Sequence, residues 1–134
     1  MPIDETKAKS IIEGIFKDIL NKKNFNLFDS YFADNIVTYD GKDKYANRSE
    51  LRKNIEERCK AIPDFKYTLD DIVIHGNKVA FRWHGKGNTV SEFSGFKPGK
   101  SANYWGVSMC ELNPEGKIVK GWETSTVTDA IPQK

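Results

Sequence analysis

Few of the residues able to do acid/base, nucleophilic or metal chemistry in this chain stand at a spacing that commits them to it. His75 and His84 are the only histidines and Cys59 and Cys110 the only cysteines, and no group of them has the spacing of zinc ligands. Cys59 falls in a helix-like stretch and Cys110 in a strand-like one, which predicts two buried free thiols rather than a disulfide. No G-x-S-x-G nucleophile elbow occurs. Gly95 to Ser101 (GFKPGKS) is one residue short of a phosphate loop, and a strand-like segment follows it where the loop needs a helix N-terminus, so it reads as a turn. Two carboxylates stand beside ordered-looking strands. Asp40 ends the run NIVTYD just before Gly41, as a turn-forming carboxylate would. Glu123 follows Trp122 in a Thr/Ser-rich strand, as an exposed strand acid or a partner of Arg82 would. Arg82 and His84 share one strand face with Ala80. On a concave face they would line a pocket, and on a convex face they would be solvated or join a dimer surface. Tyr39, Tyr104 and Trp105 are cavity walls with polar handles or plain core.

The elements that must position these groups follow from periodicity. Ala8, Ile11, Ile12, Ile15, Phe16, Ile19 and Leu20 recur at the spacing of one helical face, which predicts a helix over residues 4–22 capped by Asp4. Phe25, Leu27, Phe28, Tyr31 and Phe32 suit a short second helix, residues 35–40 a strand, and residues 41–47 a polar loop. Asn47 with Glu50 resembles a capping box before a third helix, whose buried face is Leu51, Ile55, Cys59 and Ile62. The period then becomes two. Phe65, Tyr67 and Leu69 alternate, and Ile72 and Ile74 alternate on the other parity, so a bulge is expected at Asp70-Asp71. Strands at 79–84, 90–96, 101–112 and 117–127 follow, with turns at 75–77, 97–100 and 113–116. Helices ahead of consecutive antiparallel strands predict an α+β domain spanning residues 1–134. A bent sheet around the helices would leave a cavity suited to a small molecule.

The 134 residues fit one domain, and sixteen aromatics mark a folded chain. Twenty-one basic against nineteen acidic residues give a net charge of +2, which argues against charge-driven binding to nucleic acid or acidic membranes. No apolar run approaches the ~20 residues of a membrane span, and the first residues, MPIDETKAKSIIEGIF, lack a signal-peptide core, so a cytoplasmic protein is expected.

The stretch from Val79 to Lys100, VAFRWHGKGNTVSEFSGFKPGK, with the later Gly116-Lys117-Ile118 and Trp122, resembles the SnoaL-like polyketide cyclase branch of the nuclear-transport-factor-2-like superfamily. The matching pieces are Arg82-Trp83, Gly87-Asn88-Thr89, Phe93-Ser94-Gly95 and Pro98-Gly99-Lys100, and the resemblance, which includes the order of the elements, spans nearly the whole chain. The resemblance implies a cone-shaped α+β fold with a central cavity. It also implies a small-molecule ligand and possible cyclase- or isomerase-type acid/base chemistry without metal or organic cofactor. A homodimer is expected because the outer face of such a sheet would otherwise expose strand residues such as Trp83 or Trp105 as an apolar patch.

The resemblance implies site residues as well. The family's acid/base carboxylate on the last strand falls on Glu123, while two pocket histidines fall on Ser108 and Gly121. Ketosteroid isomerase, a second relative, shares the pattern of Phe32-Ala33-Asp34 and Asp40, and its base position falls on Asp40. Its oxyanion-hole tyrosine and aspartate fall on Phe16 and Ser108, and Phe16 has no donor to offer an enolate. The expected site therefore has Glu123 and Asp40 as catalytic acids, with Tyr39, Arg82, His84, Tyr104, Trp105 and Ser108 around the ligand. A non-catalytic binding or dimeric interaction protein on the same fold is the alternative, and an open or a filled cavity separates the two.

Overall fold

The apolar stripe at the N-terminus winds first as an α-helix, α1 (Glu5–Gly14), capped by the Asp4 side chain on the Lys7 amide. It continues as a π-helical segment over Ile15–Asn21, closed by the Lys22 amide on the Lys17 carbonyl. The wider turn keeps Ile15, Phe16 and Ile19 buried together. It also brings Asn21 to the backbone of Tyr67, where the side-chain amide donates to the Tyr67 carbonyl at 2.9 Å and accepts from its N–H at 2.7 Å. These coordinates are a computed structural model that describes residues 4–41, 43–92, 98, 99 and 101–128.

A short 3₁₀ turn (Phe25–Leu27) and a single turn, α2 (Phe28–Tyr31), replace the expected second helix and lead into β1 (Phe32–Asp40). The expected polar loop after Asp40 holds a short strand instead, β2 (Asp43–Tyr45), folded back on the end of β1. Helix α3 (Arg48–Ala61) starts at Asn47, whose side chain accepts from the Glu50 amide, while the Glu50 carboxylate accepts from Ala46 N–H. The remaining strands are β3 (Lys66–His75), β4 (Lys78–Asn88), β5 (Ser101–Leu112) and β6 (Ile118–Thr128). The register of β3 on β4 slips between Leu69 and Asp71, at the expected bulge. Residues 89–92 carry no strand, and the rest of the strand expected over 90–96 lies outside the described residues, as do Phe93-Ser94-Gly95, Lys100 and the tail from residue 129.

The six strands form one open sheet in the order β2-β1-β6-β5-β4-β3. All neighbours run antiparallel except β1 and β6, which are parallel. Tight turns impose antiparallel pairing on β3 with β4 and on β5 with β6, but α3 and four strands separate β1 from β6 in the chain, so no hairpin dictates their direction. The fold is thus α+β as expected, with helices packed on one face of a curved sheet whose edges, β2 and β3, do not close into a barrel. Ile12, Ile19, Phe28, Ile36, Ile62 and Leu112 are fully buried between helices and sheet. Cys59 and Cys110 are free thiols, and burial pushes Cys110 up to about 12. No helix among the described residues is long and apolar enough to cross a membrane.

Candidate active site

Strand register builds the site. Asp40 on β1 lies opposite Glu123 on β6, Glu123 opposite Ser108 on β5, and Ser108 opposite Phe81 on β4. Neighbouring strands lie about 4.8 Å apart, so this single row sets two carboxylates and a hydroxyl side by side on the face that looks at the helices. Trp83 fixes the hydroxyl. Its indole Nε1, which can only donate, reaches Ser108 Oγ at 3.2 Å. The hydroxyl proton is then free to point at Glu123 Oε1, 3.5 Å away.

The indole has room because residue 106 is a glycine. A Cβ built at Gly106 would stand 2.3 Å from Trp83 Cε2 and Cζ2, so any side chain there would displace the ring.

Over this row lies a cavity with two lobes. The inner lobe, of about 140 Å³, is walled by Ile12, Phe16 and Leu20 from the N-terminal helix, Ile55 from α3 and Phe81 and Ile118 from the sheet. The outer lobe, of about 330 Å³, adds Asp43, Phe65, Tyr104 and Ser125. Asp40, Tyr45, Asn54, Arg58, Trp83 and Glu123 border both and form the waist between them. The lining is apolar within and polar at the waist, the usual make-up of a small-molecule site.

The electrostatics follow from placing two acids and one cation there. Burial raises the Glu123 carboxyl above its ordinary value, against the Arg58 charge, and Asp40 raises it further. Burial likewise raises Asp40, with Arg58 opposing and Asp43 reinforcing. Burial opposes the Arg58 charge, but Tyr67, Glu123 and Asp40 outweigh it and keep the guanidinium protonated. Two acids facing one cation favour a state in which one carboxyl keeps its proton.

These shifts set a pH dependence. A carboxyl raised on folding binds its proton more tightly in the folded chain than in the unfolded one. Its ionisation therefore costs stability as pH climbs from the ordinary value, 4.5, through the raised one. Glu123→Gln removes that cost. The variant is expected to melt above the parent at about pH 8, with the gap closing toward about pH 4, as thermal unfolding across that range will show. A variant that melts lower at alkaline pH would contradict the placement.

The residues singled out from the sequence divide by strand parity. Asp40, Glu123 and Ser108 border the inner lobe, and Tyr104 borders the outer one. Tyr39 also borders the inner lobe, but its ring stacks on that of its register partner Trp122 at 6.3 Å between centroids. Arg82, His84 and Trp105 border neither lobe. Trp83 and Gly85 take the inward positions of β4, so alternation turns Arg82 and His84 outward. There Arg82 faces Asp71 at 4.0 Å, and His84 pairs with Asp70 at 2.7 Å and lies against Trp105. Arg82 is thus no partner for Glu123. Arg58, Tyr45 and Asn54 are waist residues that sequence reasoning passed over. A signal existed for Arg58: it lies three residues after Ile55 and four before Ile62, on the apolar stripe of α3, where a cation calls for a reason.

Residues 10–133 match the model of the family described as SnoaL-like polyketide cyclase. No curated protein matches the chain significantly. Among solved structures, IdmH from Streptomyces antibioticus superimposes with a TM-score of 0.76 at 22% identity, over 88% of this chain and 91% of its own. A SnoaL-like polyketide cyclase from Agrobacterium tumefaciens gives 0.74 at 19% identity, over 90% and 91%. An epoxide hydrolase from M. tuberculosis, of the kind described as LEH-like, gives 0.72 at 14% identity, over 90% and 84%. At these identities the likeness is one of fold, and one fold carries several chemistries.

Proposed function

Because the chain belongs to the SnoaL-like polyketide cyclase family, we propose that it binds a small organic molecule in the inner lobe and performs acid/base chemistry on it, with Glu123 as the working acid/base and Asp40 as its secondary partner. One observation carries this reading: the cavity is open, and its waist holds two in-register carboxylates that burial keeps above the usual carboxylate range. A base raised toward neutrality removes a weakly acidic proton better than an ordinary carboxylate. The reaction class is removal of a proton from carbon next to a carbonyl, followed by its return or by attack of the carbanion on a second carbonyl. The chain's own residues and the ligand account for every proton in that step.

The test is solvent exchange. A panel of small cyclic ketones and 1,3-diketones, incubated with the protein in deuterium oxide, should take up deuterium at the α-carbon faster than in buffer. Binding without exchange would leave a ligand-binding protein on this fold.

We also propose a homodimer formed through the outer sheet face. Val73, Ala80, Met109, Trp122 and Tyr39 follow one another in register across β3, β4, β5, β6 and β1 on that side. Trp105 and Val107 extend the apolar area at 51% and 54% exposure. Trp83, the other tryptophan weighed for that surface, is buried on the inner face instead. Exposed apolar area of this extent on one sheet face suits a self-complementary contact. Light scattering at micromolar concentration should give twice 15.3 kDa, and a monomer would overturn the proposal.

A further inference from the structure

The waist holds a cation that the acid/base step above does not use. Arg58 donates through Nη1 to Tyr67 Oη at 2.5 Å, and its Nε is buried with no hydrogen-bond partner. Among the described residues no carboxylate comes within 4.0 Å of it to form an ion pair. The attraction of Glu123 and Asp40 therefore acts across a gap wider than a hydrogen bond. A buried charged donor without an acceptor is expensive, and structures keep few of them. A second orphan lies on the same cavity wall. Thr38 Oγ1 is buried and unpartnered, two residues before Asp40 and so on the same face of β1. Two residues that line the inner lobe thus each keep a buried polar atom with no hydrogen-bond partner.

We propose that Arg58 receives the carbonyl oxygen of the bound ligand, so that the substrate class of this site is a neutral small molecule with a carbonyl flanked by an acidic C–H. This rests on the acid/base reading above. Charge decides for a neutral ligand. Arg58 with one ionised carboxylate is already balanced, and a ligand carboxylate would add an uncompensated negative charge beside two acids. A neutral carbonyl adds none. When Glu123 takes the α-proton, the C–H electron pair becomes the C=C bond and the carbonyl π pair moves onto oxygen. The negative charge travels from the carboxylate to that oxygen and stays beside the guanidinium. Return of the proton to carbon reverses the flow. The net charge of the waist never changes, and the donor is in place beforehand, which is the condition for effective oxyanion stabilisation. Arg58 on α3 thereby supplies the donor that Phe16, an apolar wall of the inner lobe, does not.

The experiment is a binding comparison that needs no turnover. 4-Nitrophenol, neutral when free, imitates the enolate when it hands its proton to Glu123 and binds as the phenolate, which leaves the net charge of the waist unchanged, and nitrobenzene has nearly the same shape without the phenolic oxygen. The parent protein should bind nitrophenol at least about tenfold more tightly than nitrobenzene, a ratio set by a charged hydrogen bond. The bound ligand should show the long-wavelength phenolate band at a pH where free nitrophenol is mostly neutral. Arg58→Met should abolish the preference and the band and leave nitrobenzene affinity within about twofold. Arg58→Lys keeps the charge and stands in if the methionine variant does not fold. It should retain the band with weaker binding. No preference for nitrophenol in the parent protein overturns the proposal, as does equal loss of both ligands in the variants. The exchange test separates the two readings. A phenolate preference that depends on Arg58 without α-proton exchange sustains the anchor and sinks the acid/base step. Exchange with a preference indifferent to Arg58 does the reverse.

Discussion

Glu123→Gln should slow α-proton exchange by at least about two orders of magnitude, because a positioned general base contributes roughly 10²–10⁴-fold. Glutamine keeps the shape of the side chain and can still accept from Ser108, so ligand affinity should change little while the rate collapses. Asp40→Asn should cost less, since Asp40 acts through its neighbour's ionisation rather than on the ligand. Exchange rates for both variants, measured by proton NMR in deuterium oxide, decide the assignment. Full activity in Glu123→Gln with loss in Asp40→Asn would reverse the two roles. Full activity in both would remove the carboxylates from the chemistry. The same Gln variant is expected to be the more heat-stable protein at alkaline pH, so lost activity cannot be put down to unfolding. Higher stability with lower turnover is the pattern of a group held at a cost to the fold.

The second large effect concerns stability and lies in a residue with no side chain. Gly106→Ala would put a methyl group 2.3 Å from the Trp83 ring, and that ring is 3% exposed and can yield only into the cavity that it borders. Overpacking of this kind typically costs about 1–3 kcal/mol, and so close an approach belongs at the upper end. For a domain of this length that corresponds to a fall in melting temperature on the order of 10 °C. Activity should drop beyond the loss of folded protein, because a displaced indole no longer holds Ser108 toward Glu123. Calorimetry and exchange rates on the folded fraction test both parts. A melting temperature within about 2 °C of the parent would show that the ring moves freely, against its burial.

Much of the architecture could be read in the chain. The stripe from Ala8 to Leu20, the cap at Asn47, the bulge at Asp70-Asp71 and the long strands from residue 101 onward all leave local signals, because each depends on residues a few positions apart. The π-helical turn and β2 left none. A wide turn keeps the same buried stripe as a regular one, and a three-residue edge strand looks like a polar loop. The parallel pairing of β1 with β6 was also illegible, since it joins segments far apart in sequence. It is this pairing that brings Asp40 to Glu123. Only the family resemblance, not periodicity, pointed to either acid. Alternation in β4 separates Arg82 and His84 from Phe81 and Trp83, but it does not say which set meets the helices. The bulky set does, which leaves the charged pair outside. Arg58 was hidden differently: a cation inside an apolar stripe is obvious only once the partners around it are known.

The amide of Asn21 has a further effect at the border of the sheet. Strand β3 is an edge, and an edge offers unpaired peptide groups to any passing strand, including that of another copy. At Tyr67 the N–H and C=O that face away from β4 are both taken by one side chain, in the manner of a neighbouring strand one residue long. The end of β3 nearest the cavity is thereby closed to strand addition without a seventh strand. In a chain whose net charge of +2 gives weak mutual repulsion, such a stopper guards colloidal stability where electrostatics does not.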